Sequence, residues 1–457
     1  MKLIFYRVFN FSAGIVLIFL SFQCNRSQYE YNPSTLADTM ESMITNDLLK
    51  VWYPASVDTE FGGFLSDLTF NWKPEGQQNK TLVNQARHIW TCSHAAHFLN
   101  DPKYLELAEY GFMALRDHMW DPINGGFFSE TDRSWKIPGD KDNEEKTAYG
   151  HSFAIYALAS YYHVSGDTSA FNLARKTFFW LEKNSHDSID KGYFDRLMRD
   201  GSWVFTKITD PIRENPDWAS WKDMNSSIHL LEAYTELYRV WPDTMIKKRL
   251  QEMLILVRDT IFQANGFMSL FFNRNWQAVS FKDSSRAYIL EHLHFDHVSF
   301  GHDVETAYLL LEASDALGYE NDPVTRLVAK KAVDHALENG WDKKKGGFYY
   351  GGYYFDPGYI TIVDSSKQWW VQAEGLNALL LMSKLYPDEP VYQRMFIKQW
   401  NYIDRYLIDH EYGGWFHFGT DINPELKSAP KANIWKVNYH NMRALENCIN
   451  MLRGDFE

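Results

Sequence analysis

A glycine-aromatic turn recurs six times along the chain, and this repeat is the strongest constraint on how it can fold. Successive copies lie 63 to 80 residues apart, which is a long and fairly regular period. Such a period is the signature of a fold assembled from repeated supersecondary units, so the sequence predicts six of them. The copies are Gly62-Gly63-Phe64, Gly125-Gly126-Phe127, Gly192-Tyr193-Phe194, Gly266-Phe267, Gly346-Gly347-Phe348 and Gly413-Gly414-Trp415.

Two stretches with helical spacing of apolar residues accompany each turn. One of the two, as in residues 148–159 and 371–381, is apolar around much of its circumference, and such a helix is buried. Its partner carries more charge and is expected to face solvent on one side. Six buried and six half-exposed helices in alternation predict an all-α fold, an (α/α)6 barrel of six helix-hairpin units. An open solenoid has the same period. However, the glycine-aromatic turn occupies the same connection in all six units, which favours a ring that closes on itself.

The N-terminus has the pattern of a secretory signal. Lys2 and Arg7 precede an apolar run over residues 11–22, which is shorter than the roughly 20 residues that a spanning helix needs. Cys24 directly follows, as in a bacterial lipoprotein, although the preceding Gln23 is larger than the residue usual there. We therefore predict a signal peptide over 1–24 and an exported protein, periplasmic or anchored to the membrane by lipid on Cys24. Because no linker-like segment follows, residues 25–457 are predicted to form a single catalytic domain.

Composition narrows the choice of partners. The formal net charge is −13 and basic runs are absent, so the electrostatic attraction required for nucleic-acid binding is missing. Aromatic residues make up 16% of the chain, and Trp and Tyr rings can stack on sugars as well as fill a core. Beyond the signal, Cys92 and Cys448 lie within apolar helical patterns and are expected to be buried free thiols. A monomer is expected.

Polar residues that are unusual for a buried helix recur near the start of each predicted inner helix. Their spacing, 64 to 78 residues, repeats the structural period. Because the inner helices of such a barrel run in the same direction, their first turns should meet at one end of the central cavity. The residues are Arg87, His151, His229, His302, Gln372 with Glu374, and Asn438 with His440.

Several histidines, an arginine and a carboxylate at one mouth favour proton transfer at a carbon beside a carbonyl group. Histidine titrates near neutrality and can both take and return a proton. Arginine stays charged and can stabilise the oxyanion that develops when the proton leaves. Two bases on opposite faces of a planar enediolate would invert the configuration at that carbon. The alternative, that each histidine is an ordinary hydrogen-bonded core residue, remains open at this point.

Five segments resemble motifs of the cellobiose 2-epimerases in the N-acylglucosamine 2-epimerase superfamily, in the same order and over nearly the whole chain after the signal. The sequence departs from that pattern at Asn438, where proline is usual, and at Met442, where a small residue is common. Both departures were expected to reshape the pocket. The matching segments are Gln85 to Trp90, Met224 to Ala233, Gly301 to Glu305, Trp369 to Glu374 and Trp435 to Asn441.

The resemblance implies a role for each matching residue and requires neither a metal nor another cofactor. His302 and His440 would exchange the C2 proton of the reducing-end sugar through a cis-enediolate. His229 would assist ring opening, and Arg87 would stabilise the enediolate. Glu305, one turn after His302, is expected to orient its ring. The residues expected to bind substrate are Trp369, Trp370, Trp435, Glu305, Glu374, Asn225 and Asn441, with His151 as a further lining residue.

The implied activity is epimerisation at C2 of the reducing-end glucose or mannose of a β-1,4-linked disaccharide such as cellobiose. Mannobiose and N-acylglucosamine 2-epimerases are the nearest alternatives. A glycoside hydrolase on the same barrel would need two flanking carboxylates, for which Asp303 and Glu374 are candidates. A sugar-binding protein without turnover is a third class. His292, His294 and His297 are spaced like metal ligands, but nothing else in the sequence supports a metal site there.

Overall fold

The computed structural model describes residues 32–137, 145–204 and 222–454. The signal predicted over residues 1–24, including Cys24, lies outside the described residues. Within those three ranges, no helix has both the length and the apolar character needed to cross a bilayer.

Fifteen α-helices account for most of the described chain. Short π-helical turns extend three of the outer helices, and a 3-10 turn covers Pro424–Ser428. In chain order the helices are α1 (Pro33–Ser42), α2 (Lys50–Ala55), α3 (Leu82–Leu99), α4 (Pro102–Ala114), α5 (Ala148–Ser165), α6 (Thr168–Asn184), α7 (Met224–Val240), α8 (Thr244–Leu256), α9 (Arg286–Glu291), α10 (Leu293–Asp296), α11 (Phe300–Ala316), α12 (Pro323–Asn339), α13 (Trp369–Leu385), α14 (Pro390–Tyr406) and α15 (Tyr439–Arg453).

Six of these helices form a closed inner ring. Helices α3, α5, α7, α11, α13 and α15 each contact the next, and α15 returns to contact α3. Each inner helix also packs on one outer helix: α3 on α4, α5 on α6, α7 on α8, α11 on α12, α13 on α14 and α15 on α1. The predicted (α/α)6 barrel is confirmed, and the contact between α15 and α3 excludes an open solenoid.

Burial explains why the two sets of helices differ in sequence. In α13 every residue from 369 to 382 is buried, because the helix is enclosed by its ring neighbours and by the outer layer. In α14, by contrast, the buried residues lie on one face and the rest of the helix meets solvent. Cys92 and Cys448 are both buried free thiols, as predicted.

The glycine-aromatic turns connect each outer helix to the next inner one and insert their aromatic rings into the core. Phe64, Phe127 and Phe348 are completely buried. Gly63 shows why glycine is required, since its φ is +66° and a Cβ there would lie 2.6 Å from Oε1 of Gln85.

Five of the six turns are held by a buried lysine that the sequence reading missed. Each lysine is completely buried, pairs with an aspartate that begins the turn, and donates to a carbonyl within the turn. The fourth unit has Gln263 and Val298 at the corresponding positions instead. The pairs are Lys80–Asp58, Lys146–Asp121, Lys222–Asp187, Lys367–Asp342 and Lys431–Asp409.

Short antiparallel strands, absent from the sequence prediction, link neighbouring units at the same end of the barrel. Most are two or three residues long, but β8 and β9 form a hairpin beside β7. The pairs are β1 (Lys80–Thr81) with β2 (Glu130–Thr131), β3 (Glu145–Thr147) with β4 (Arg196–Met198), β5 (Lys222–Asp223) with β6 (Phe271–Phe272), and β7 (Val298–Ser299) with β8 (Gly351–Asp356), which also pairs with β9 (Tyr359–Asp364).

Candidate active site

The first turns of all six inner helices meet around one cavity of about 290 Å³. The sequence predicts that polar residues meet at this end, and the structure brings four of the eight to the cavity, namely Arg87, His229, His302 and His440. The inner helices contribute Arg87, Tyr149, Asn225, His229, His302, Glu305, Trp369, Trp370 and His440, and the connections contribute Tyr350, Gln368, His417, Asn433 and Trp435.

His440 is held by a carboxylate on the neighbouring inner helix. Its Nδ1 lies 2.7 Å from Oε1 of Glu374, and the same oxygen accepts a hydrogen bond from Arg443 at 2.7 Å. An oxygen that already accepts from a guanidinium acts as the acceptor for the imidazole as well, so Nδ1 of His440 carries the proton. The lone pair on Nε2 is then free for the cavity that His440 lines.

Arg443 joins three buried glutamates into one group below the cavity, which we call the Arg443 cluster. Its guanidinium donates to Glu232, to Glu305 at 2.5 Å and to Glu374. All four side chains are at most 2% exposed. Burial alone would raise the pKa of Glu232, but Arg443 and His229 outweigh it and hold that pKa at about 2.

His229 is anchored to the same cluster. Its Nδ1 lies 2.9 Å from Oε2 of Glu232, and the other oxygen of Glu232 accepts from the hydroxyl of Tyr439 at 2.5 Å. The rings of Tyr149 and Phe153 pack on the imidazole with centroids 5.4 and 4.6 Å away. His229 therefore has one fixed orientation, with its remaining nitrogen available to a ligand.

His302 is oriented by a serine rather than by Glu305, which corrects the sequence expectation. Its Nδ1 lies 2.7 Å from Oγ of Ser299, the residue that precedes α11. Glu305 bonds instead to Arg443 and lies 3.9 Å from Nδ1 of His440. The ring of Trp370 packs near both histidines, with its centroid 4.8 Å from that of His302 and 5.8 Å from that of His440.

Burial favours the neutral form of both histidines. Burial, together with the nearby His229 and His297, lowers the pKa of His302 well below its usual value. Burial also lowers the pKa of His440, although the carboxylate of Glu305 opposes the effect. Two neutral imidazoles that share one cavity can each accept a proton near pH 7.

Arg87 provides the positive charge at the mouth. Its guanidinium donates to the carbonyl of Trp435 at 2.8 Å and to the hydroxyl of Tyr149 at 3.2 Å, and it lies over the ring of Phe153. None of these partners is a carboxylate, so the charge remains available to an anionic oxygen in the cavity. Trp435 itself is 54% exposed at the outer rim.

Within the described ranges, donor atoms of Glu305, Glu374 and His440 lie within 4.8 Å of one another, close enough to suggest a metal site. The guanidinium of Arg443 already bonds to both carboxylates, so a cation of the protein occupies the position that a metal ion would take. The other candidate for a metal site consists of His292, His294 and His297. Backbone carbonyls accept hydrogen bonds from Nδ1 of His292 and of His297, and the ring of His294 packs on Phe295.

Three residues from the predicted set hold turns instead of facing the cavity. Nε2 of His151 accepts from the backbone of Phe127, and Oε1 of Gln372 accepts from that of Phe348. Asp303 accepts from the backbone of Met268 in the same way. His151 is therefore not a lining residue. Asn438, Asn441 and Met442 are also buried and lie outside the cavity, so the two departures from the family pattern do not line the pocket.

Sequence reasoning missed Arg443, Ser299, Tyr149 and His417 as site residues. A signal existed for Arg443, because it follows His440 by three positions on one helix and so lies on the same side of it. Glu232 stood in a quoted motif, but nothing local marked it as the partner of His229.

A closed (α/α)6 barrel with histidines, an arginine and glutamates around one mouth defines the chain as an enzyme of the sugar epimerase class. The family model for N-acylglucosamine 2-epimerase (GlcNAc 2-epimerase) matches residues 62–444. The chain belongs to this family.

The relatives that the chain matches include carbohydrate epimerases and isomerases. It is 29% identical over 426 residues to the cellobiose 2-epimerase of Bacteroides fragilis, covering 91% of this chain and 98% of that protein. It is 26% identical over 401 residues to the D-mannose isomerase of Marinomonas mediterranea, covering 86% and 92%. The structure of cellobiose 2-epimerase from Spirochaeta thermophila superposes with a TM-score of 0.75 at 26% identity, covering 93% and 98%.

Proposed function

We propose that this protein epimerises C2 of the reducing-end glucose or mannose of a β-1,4-linked disaccharide such as cellobiose. The observation that carries the proposal is that His302 and His440 line one cavity and that the ring of Trp370 lies close to both of them. The B. fragilis relative, with that activity in its name, supports the choice of substrate.

The proposed reaction begins with ring opening, assisted by His229, which exposes the C1 aldehyde. One imidazole then takes the C2 proton, and the electron pair of the C–H bond moves into the C1 carbonyl to form an enediolate. Arg87 stabilises the negative oxygen. The other imidazole, which has taken a proton from solvent before this step, gives that proton to the opposite face of C2 and so inverts its configuration, and the first imidazole then releases the abstracted proton to solvent. The roles given to these four residues come from the resemblance and fit the geometry of the cavity.

Trp435 favours a disaccharide over a monosaccharide. Its ring is more than half exposed at the rim, whereas Trp369 and Trp370 lie deep in the cavity at 4% and 8% exposure. If the reducing-end sugar ring stacks on a tryptophan inside the cavity, the second sugar ring of a disaccharide would lie at the rim beside Trp435. Mannobiose fits this arrangement as well as cellobiose does, whereas N-acylglucosamine would leave Trp435 without a sugar partner.

The hydrolase alternative is disfavoured by the positions of its candidate carboxylates. Asp303 bonds to the turn at Met268, outside the cavity, and Glu374 is committed to His440 and Arg443. A hydrolase needs two carboxyl groups on either side of the scissile bond, and these two do not flank one space.

The test is incubation of the protein with cellobiose in heavy water, followed by NMR. Glucosyl-mannose with deuterium at C2 is expected, whereas monosaccharide release would indicate a hydrolase. Binding with no new product and no label would indicate a sugar-binding protein. Reduced cellobiose, which has no aldehyde, is the matched control and should remain unchanged. Mannobiose in a parallel reaction decides between the two disaccharides.

We also propose that the mature protein is an exported lipoprotein with lipid on Cys24, and that its barrel is a monomer. The apolar run before Cys24 supports export. Detergent phase partitioning of the full-length protein and of Cys24→Ala tests the anchor: only the former should enter the detergent phase. Light scattering of the soluble form tests the oligomeric state.

A further inference from the structure

A second cavity opens at the opposite end of the barrel, where the inner helices end. Its volume is about 340 Å³, slightly more than that of the candidate active site and within the ~300–1,000 Å³ typical of small-molecule sites. The second halves of α11, α13 and α15 form most of its wall, and Arg239 at the end of α7 completes it.

Asn377 is the feature that points to a ligand. It is completely buried, lines this cavity, and has no hydrogen-bonding partner for its amide oxygen or its amide nitrogen anywhere in the described chain. Each unsatisfied buried polar group costs about 1–3 kcal/mol.

The charges of the cavity exclude an ion as the preferred occupant. Arg239 is paired with Glu312 at 2.8 Å, so its charge is already balanced. Arg326 and Asp315, which also line the wall, carry opposite signs. The carboxylate of Asp322, the remaining charged group of the lining, accepts a hydrogen bond from Arg258 at 3.0 Å. The wall therefore offers no uncompensated charge of one sign to select a phosphate or a metal cation.

The remaining lining suits a neutral molecule with several hydroxyl groups. An asparagine amide both donates and accepts hydrogen bonds, as a hydroxyl group does, and four asparagines line the cavity. Leucine side chains and the rings of Tyr308 and Tyr319 supply apolar faces for the carbon skeleton. We propose that this second cavity binds a small neutral polyhydroxylated molecule of about monosaccharide size.

The second site lies directly behind the Arg443 cluster. Tyr308 follows Glu305 by three positions on α11, Asn377 follows Glu374 by three on α13, and Asn447 follows Arg443 by four on α15. Residues three or four apart lie on the same side of a helix, one turn further along. The cluster therefore separates the two cavities, and the second site does not depend on the activity proposed for the first.

The experiment combines calorimetric titration with crystals soaked in D-glucose, D-mannose or glycerol. We expect at least one of these probes to occupy the second cavity with hydrogen bonds to Asn377. In Asn377→Leu, which keeps the branching of the side chain but removes the amide, affinity at this site should fall at least tenfold. If Asn377→Leu does not fold, Leu381→Phe replaces it in the experiment. The larger ring fills the cavity from the next turn of α13 and should lower the affinity by the same factor.

Two results would overturn the proposal. One is ordered water alone at Asn377 with all three probes. The other is probe binding that is equal in the parent protein and in a folded cavity variant. Because the readout is occupancy of the second cavity, it remains informative even if the protein does not epimerise cellobiose.

Discussion

His440 and Arg443, three positions apart on α15, meet at the same oxygen of Glu374. The contact links the proposed proton-transfer residue to the ion cluster below it, because Arg443 also bonds to Glu232, the partner of His229. The orientation of two histidines therefore depends on one buried guanidinium.

We expect substitution of Arg443 to lower both the stability and the activity of the protein. Arg443→Leu leaves three buried carboxylates without their common partner, so we expect the free energy of unfolding to fall by about 3–5 kcal/mol. Arg443→Lys keeps the charge, but one ammonium cannot reproduce the fork that reaches Glu232, Glu305 and Glu374 together. Denaturant unfolding with parallel assays checks both variants. Parent-like kcat in Arg443→Lys would show that charge alone suffices.

Loss of either proposed proton-transfer residue should abolish most turnover without unfolding the barrel. For His302→Asn and His440→Asn we expect kcat to fall by about 10²- to 10⁴-fold, the usual contribution of acid–base catalysis. His151→Gln is the matched control, because Gln85 and Gln372 make the same turn contact in other units. It should keep parent-like kcat in the deuterium-exchange assay. A comparable loss in all three variants would indicate a general structural effect.

The acid limb of the pH–rate profile should lie lower than that of an ordinary histidine. Burial lowers the pKa of His302 and His440, and each acts as a base only when unprotonated. As pH falls, the neutral form persists through about 6.5, the usual pKa of histidine, and is lost only below it. Measurement of kcat/KM against pH reports these values for the free enzyme. An acid limb centred at or above pH 6.5 would contradict the assignment.

The buried lysines make a prediction that concerns stability alone. Lys431→Val leaves Asp409 buried without its cation, so we expect the free energy of unfolding to fall by about 3–5 kcal/mol. The double variant Lys431→Val with Asp409→Gln copies the residues of the fourth unit, Val298 and Gln263, and should recover part of that loss. Urea unfolding of the parent protein and of both variants measures their stabilities, which should decrease from the parent to the double variant to the single variant. A double variant less stable than the single one would refute this explanation.

The period of the sequence was enough to predict the barrel, because burial on all sides makes the inner helices recognisable without any knowledge of their contacts. The polar positions at their first turns were predicted less well. Arg87 and His229 face the cavity, but His151 and Gln372, two positions earlier in their own helices, face the turns. A shift of two residues along a helix rotates the side chain by about 200° around the axis. The spacing of these residues varies from 64 to 78, so it cannot predict which face of the helix each one occupies.

The lysine–aspartate pairs were visible in the sequence but not interpreted. Each aspartate precedes an aromatic residue of its turn by six positions, as Asp58 precedes Phe64 and Asp187 precedes Tyr193. Lysine is rarely buried completely, so the residue type of Lys80 and Lys146 predicts an exposed position. Both are in fact completely buried. Only the folded chain shows that a carboxylate and a turn carbonyl compensate the burial of each charge.

The closure of the ring by α15 has a consequence for folding. This helix carries His440 and Arg443 and fills the gap between α13 and α3, so a folding intermediate in which α15 has not docked has five inner helices and an open seam. Such an intermediate lacks the guanidinium that holds the buried glutamates as well as one wall of the cavity. The candidate active site is therefore complete only after the last helix of the chain has docked.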